Sequence, residues 1–325
     1  MKVVLPGGSG QVGVILTRAL KRDGHDVVVL SRKPAANGTR TVAWNGVCAG
    51  PWMHEIDGAD VVVNLTGRSV NCRYTDENRR AIMQSRVRST RILGEAIAAA
   101  ARPPKVWLQA STATIYAHRY DAPNDEATGI VGGREHNAPQ AWRFSIDVAR
   151  AWERELDSAP VPGTRRVKLR SAVIMSPDRG GIFDTLMTLV RRRLGGRAGD
   201  GRQYVSWVHE LDFVRAVSWL IAHDDVEGPV NVAAPEPLPN AAFMRELRKA
   251  AGVTFGLPST GWMLELGALA MQTETELILK SRRVVPGVLR ERGFEFVFSE
   301  WPHAAGDLCR RWEEQDRGDA AAMIS

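Results

Sequence analysis

The chain has 325 residues, 44% hydrophobic and 25% charged, with a net charge of +6. That balance belongs to a globular protein with room for one large core and a smaller appended region, and no apolar run reaches the roughly 18 residues of a membrane span. Three scattered cysteines, Cys48, Cys72 and Cys309, have no CxxC spacing, which excludes a zinc site or disulfide framework as the organising feature; basic and acidic residues are mixed, with only Arg191-Arg192-Arg193 forming a tight run, so the charge does not mark a nucleic-acid surface.

The N-terminus enters a strand almost at once, Val3 to Leu5, leaving no room for a signal peptide, so a cytoplasmic location is expected. Three glycines at a spacing of three follow, Gly7, Gly10 and Gly13, and then Val14, Ile15, Leu16, Ala19 and Leu20 recur at helical spacing. Strand, glycine turn and helix together form a pyrophosphate cradle: Gly7 for the tight turn, Gly10 for close backbone approach, Gly13 for helix-on-strand packing, with Ser9, Gln11 and Val12 completing the anion site at the helix N-terminus.

Asp26 to Ser31 is a second buried strand, ending in Ser31-Arg32-Lys33. No carboxylate stands there to hold a ribose 2′-hydroxyl; Ser31 and Arg32 suit a 2′-phosphate, so NADP(H) is expected rather than NAD. Residues 34 to 58 read as irregular apart from a third strand, Thr41 to Trp44. A fourth, Asp60 to Leu65, delivers Leu65, Thr66 and Gly67 to the carboxyl edge of the sheet, where ligands bind in open α/β folds. Thr75 to Arg102 is one long helix capped by Thr75 and stopped by Pro103-Pro104, with Arg86 counted among the cofactor contacts.

Lys105 to Ala110 is the fifth strand, running into Ser111, Thr112 and, five residues past Ser111, Tyr116. A helix from about Gln140 to Leu156 and a sixth strand, Val167 to Met175, complete the alternation that predicts an α/β, doubly wound parallel sheet of Rossmann type, over residues 1–175. Residues 176–325 are expected to form a smaller, mainly helical substrate region: helices at Ile182–Leu194, Leu211–Ala222, Asn240–Ala251, Thr260–Met271, Val285–Arg292 and Trp301–Arg311, and short strands at Gln203–Trp207 and Val230–Ala233 that have the option of rejoining the main sheet. Arg202 and His209 are its candidate substrate contacts.

GGSGQVG at the start, the NLTG segment Asn64 to Gly67, Ser111 to Tyr116, and Trp207 to Asp212 resemble the extended short-chain dehydrogenases/reductases. The segments Asp76 to Leu93, Asp200 to Asp212, Gly228 to Leu247 and Ser281 to Phe296 resemble more closely the "epimerase family protein" subfamily with a small C-terminal domain of unknown function, and the likeness spans nearly the whole chain. It implies an NADP(H)-dependent oxidoreductase or epimerase-like enzyme, monomeric or homodimeric, acting on a small-molecule carbonyl, hydroxyl or imine.

The wider family uses a Tyr-x-x-x-Lys pair on the helix after the fifth strand. Here the two positions hold Phe144 and Val148, and none of the four tyrosines has a lysine four residues on. Ser111 and Thr112 are then the expected substrate-oxygen contacts, Ser111 also touching cofactor, and Tyr116 the expected acid, with Tyr120, His118 and His209 behind it. The alternative is a protein that binds NADPH without turnover, as a sensor or regulatory partner.

Overall fold

Strands covered on both faces by helices have no need of alternating polar residues. The runs KVVLP, DVVVLS and VVVN accordingly form β1 (Lys2–Pro6), β2 (Asp26–Ser31) and β4 (Val61–Asn64) of a seven-stranded sheet. The computed structural model describes residues 1–33, 38–136, 138–139, 142–259 and 274–322. The sheet is completed by β3 (Thr41–Ala43), β5 (Val106–Thr112), β6 (Arg165–Ser171) and β10 (Gly228–Val232), and its order is β10-β6-β5-β4-β1-β2-β3 with every pairing parallel. All seven carboxyl ends therefore lie along one edge, and the order reverses between β1 and β4, where a doubly wound sheet opens a crevice.

Side chains of successive strand residues point to opposite faces. Val3 and Leu5 of β1 pack with Ile15 and Leu16 of α1 (Gln11–Arg22) and with Phe213 and Val217 of α5 (Glu210–Ala222). Val4 points the other way, into a core with Leu93 and Ile97 of α2 (Asp76–Ala99) and Leu156 of α3 (Arg143–Asp157). Thr75 caps α2 as its sequence predicts, its Oγ1 accepting from Asn78 N at 3.3 Å.

A third core lies beyond the sheet. Met187 of α4 (Ile182–Arg191), Trp207, Phe243 of α6 (Asn240–Ala250), and Trp301 and Leu308 of the helix Trp301–Ala322 bury one another there. The expected strand at 203–207 is two: β8 (Tyr204–Val205) pairs antiparallel with β11 (Leu238–Pro239), and β9 (Trp207–His209) pairs parallel with β7 (Val173–Met175). Ser206 separates them because its hydroxyl donates to Arg282 O at 2.6 Å and accepts from Val284 N at 2.8 Å. α4 stops short of Leu194, with Arg193 in the left-handed region at φ 59°. Short helices Glu276–Leu279 and Gly287–Glu291 follow, and the expected helix at 260–271 lies outside the described residues. Through α5 and β10 the chain returns to the first layer well after residue 175.

Candidate functional site

Two neighbouring spaces open at the carboxyl edge of the sheet. The outer is a cleft of about 620 Å³ at the β1–β4 reversal, whose walls include Gly7, Ser9, Gly10, Ser31, Arg32, Leu65, Thr66 and Gly67, all eight read from the sequence as cofactor contacts. Gly7 has φ +77°, and a Cβ there would stand 2.8 Å from the Thr66 backbone, so the turn requires glycine. Gly10 is different: a Cβ would meet nothing nearer than Gly7 O at 3.7 Å, and the space it would fill is the cleft itself. α1 starts beyond it with no side-chain cap and no acidic residue in its first turn, leaving its N–H groups to an incoming anion.

At the far rim Ser31 Oγ donates to Ser9 Oγ at 2.7 Å and accepts from Lys33 N at 3.3 Å, with Arg32 exposed beside them. Thr66 Oγ1 is buried without a hydrogen-bond partner. A pocket floored by bare N–H groups, rimmed by a hydroxyl pair and a guanidinium and holding one orphaned hydroxyl fits a phosphorylated dinucleotide. Trp44, Asn45, Gly46 and Val47 also line it, and the sequence reading missed them. The signal was present: β3 pairs in parallel with β2, so the residues that follow it share the same edge.

Of the remaining predicted cofactor residues, Gln11, Val12 and Gly13 turn their side chains or Cβ positions away from the cleft. Gln11 packs on Gly181, Val12 packs on the core, and a Cβ on Gly13 would lie 2.3 Å from Gly8 O. Arg86 lines the inner space. Its guanidinium lies against Gly67, donates from Nη1 to Arg68 O at 3.0 Å and Ile82 O at 3.1 Å, and stacks 4.9 Å from the Trp152 ring. Burial pushes its pKa down to about 10.

The inner cavity, about 120 Å³, is bounded by Arg86, Tyr74, Thr112, Phe144, Ser145 and Val148, with further apolar wall from Val70, Ile82, Trp152 and Leu277. The two positions of the missing Tyr-x-x-x-Lys pair thus face this cavity. The sequence groups Ser111, Thr112 and Tyr116; the structure separates them. Thr112 lines the cavity, whereas Ser111, one residue earlier on the strand, is buried and donates to Glu153 Oε1 of α3 at 2.6 Å. Glu153 is gripped by Arg170 through two bonds of 2.9 and 2.8 Å, Arg170 Nη1 donates to Tyr116 Oη at 3.0 Å, and Tyr116 Oη donates to Asn231 Oδ1 at 2.9 Å. Tyr116 is 2% exposed. Ser111 and Tyr116 are links in this interior chain and are not among the residues that line the cavity.

His209 and Arg202 also depart from their expected place. His209, 1% exposed, lies on the α1 and α5 face of the sheet; its Nδ1 accepts from Leu211 N at 3.1 Å, capping α5, so its proton is on Nε2, 3.2 Å from Asp307 Oδ2. Arg202 is exposed, with its guanidinium 5.9 Å from the Tyr120 ring centroid. His118 Nδ1 accepts from Ser281 N at 2.8 Å and serves the packing of that loop. Among the described residues no group of His, Cys, Asp or Glu is arranged to hold a metal, and no helix is long and apolar enough to cross a membrane.

Residues 3–233 match the model of the NAD dependent epimerase/dehydratase family, and residues 260–308 match a domain of unknown function, DUF1731. An epimerase family protein of Staphylococcus epidermidis is 30% identical over 311 residues, which span 95% of this chain and 99% of that protein. The crystal structure of human epimerase family protein SDR39U1 with NADPH superposes with a TM-score of 0.82 at 26% identity, covering 95% of this chain and 99% of that one. A nucleoside-diphosphate sugar epimerase from Corynebacterium glutamicum gives 0.74 at 28% identity, covering 95% of this chain and 58% of its own. Glycine turn, seven-stranded parallel sheet and C-terminal extension all agree with these likenesses, and the chain belongs to the NAD dependent epimerase/dehydratase family, as an epimerase family protein with a C-terminal DUF1731 domain.

Proposed function

We propose that this chain is an NADP(H)-dependent oxidoreductase or epimerase-like enzyme that acts on a small carbonyl, hydroxyl or imine compound without the Tyr-x-x-x-Lys pair. The observation that carries the reading is the adjacency of the two spaces: a cleft with Gly10, Ser31, Arg32 and Thr66 on its walls includes Gly67, and the Arg86 guanidinium that lies against Gly67 lines a small cavity together with Thr112. Gly7, Gly10 and the N–H groups of α1 would hold the pyrophosphate, and Ser31 and Arg32 the 2′-phosphate. Bound there, the nicotinamide would supply or take a hydride. Thr112 would hold the substrate oxygen, and the apolar walls would keep water from the reacting atoms. The relative crystallised with NADPH supports the choice of cofactor.

A second reading, NADPH binding without turnover, is favoured by one observation: Phe144 and Val148 fill the wall where the family's acid and its lysine would stand. Calorimetric titration with NADPH and NADH, followed by optical assay of NADPH oxidation with ketones, aldehydes and imines, separates the two. Tight NADPH binding with turnover of one compound class is expected; binding with none would leave the sensor.

A further inference from the structure

Phe144 and Val148 have no proton to give at the inner cavity, yet a phenol lines it. Tyr74, from the turn before α2, lies edge-on to Phe144, the ring centroids 5.1 Å apart and the planes at 69°. Its backbone N donates to Glu274 Oε1 at 2.6 Å, which clasps this turn to the segment after residue 273. Ser145 lines the same cavity, and its Oγ donates to Glu276 Oε2 at 2.7 Å. Glu276 is 2% exposed; its other oxygen, Oε1, is buried with no hydrogen-bond partner and lies 3.8 Å from Lys280 Nζ. A carboxyl so placed is costly to keep ionised, and burial raises its pKa. Tyr74 and Ser145 thus share the cavity wall, with the buried Glu276 hydrogen-bonded to Ser145 behind it.

We propose that Tyr74 is the proton donor of this cavity, with Ser145 and Glu276 as positioning residues beside it. The proposal rests on the NADPH-dependent reading above. A cavity of 120 Å³ compares with the roughly 150 Å³ that accommodates benzene, so the reacting part of the substrate is a carbonyl or imine group on an apolar body of about six heavy atoms or fewer. Bound NADPH would supply the hydride to the carbonyl carbon; as the C–O π pair moves onto oxygen, the Tyr74 O–H bond breaks to protonate that oxygen. The phenolate then recovers a proton from the water that enters as product leaves. Arg86, within Coulombic reach of the phenol, steadies the transient negative charge.

The test uses the full chain with NADPH and a panel of small ketones, aldehydes and cyclic imines. Tyr74→Phe is expected to lower kcat about a hundredfold or more while NADPH affinity and Tm stay at the wild-type values. Ser145→Ala lowers kcat less. In the free protein, the ionisation of Tyr74, read as the ultraviolet difference between wild type and Tyr74→Phe, shifts to lower pH in Glu276→Gln, because the charge that helps keep the phenol protonated is gone. Full turnover in Tyr74→Phe, an unmoved Tyr74 titration in Glu276→Gln, or tight NADPH binding with no compound reduced by wild type each overturns the proposal while the cofactor site stands. Failure to bind NADPH overturns the cofactor reading and the proposal with it.

Discussion

Gly10 and Gly13 sit three residues apart and answer to opposite demands. A side chain on Gly10 would enter the cleft, whereas one on Gly13 would strike the Gly8 backbone at 2.3 to 2.4 Å. Gly10→Val should therefore weaken NADPH at least about tenfold with Tm unchanged, and Gly13→Ala should cost roughly 1 to 3 kcal/mol of stability through overpacking; calorimetry and denaturant unfolding of the two variants check the contrast. Arg32→Ala should lose about 1.5 to 3 kcal/mol of NADPH binding and leave NADH binding unchanged, as removal of a charge-assisted phosphate contact does. Equal losses for both cofactors would make Arg32 a solvated loop residue. These residues were legible in the sequence because backbone conformation and strand ends fix their place. Ser111 and Tyr116 were not, since the partner that claims Ser111 is 42 positions away. Tyr74 carried no motif at all; the approach of Phe144 and of the segment at Glu274–Glu276 gives it its setting.

Elements followed their periodicity where one core decided them and departed from it where two segments competed. Valine-rich strands and α1, α2 and α3 fell where hydrophobic spacing placed them, while Ser206 divided one expected strand by binding the loop at Arg282–Val284. The missing catalytic pair belongs to this scale, because the face of α3 has been rebuilt as a whole: Val148 is 5% and Trp152 6% exposed, and the Arg86 guanidinium already stacks on Trp152. Changing Phe144→Tyr together with Val148→Lys would put a second cation beside the first with no carboxylate supplied for it. The double variant should melt several degrees lower and gain no turnover, since an unpaired buried ammonium costs several kcal/mol before it gives up its proton. A rise in NADPH oxidation in this variant would mean that the cavity still accepts the family's usual acid and that the apolar face is incidental.

At the scale of the molecule, the sheet layer and the C-terminal core are tied where His209 meets the helix Trp301–Ala322. Around its ring stand Asp307, Arg311 and His303, with Phe298 stacked 3.9 Å away. Burial outweighs the attraction of Asp307 and pushes the His209 pKa down to about 4, from an ordinary 6.5. The folded state therefore holds His209 neutral, with Nδ1 free to accept from Leu211 N, while the unfolded chain takes up a proton below pH 6.5. Stability from this group is complete above about pH 6.5 and is lost as pH falls toward 4, in all about 3 kcal/mol at 1.36 kcal/mol per pH unit. His209→Gln keeps an acceptor near the α5 N-terminus and removes the titration. Its unfolding free energy should be lower than that of wild type at pH 7.5, and the gap should close by about pH 4.5. Curves that stay parallel across that range would assign the acid sensitivity to other groups and leave the His209–Asp307 contact as packing alone.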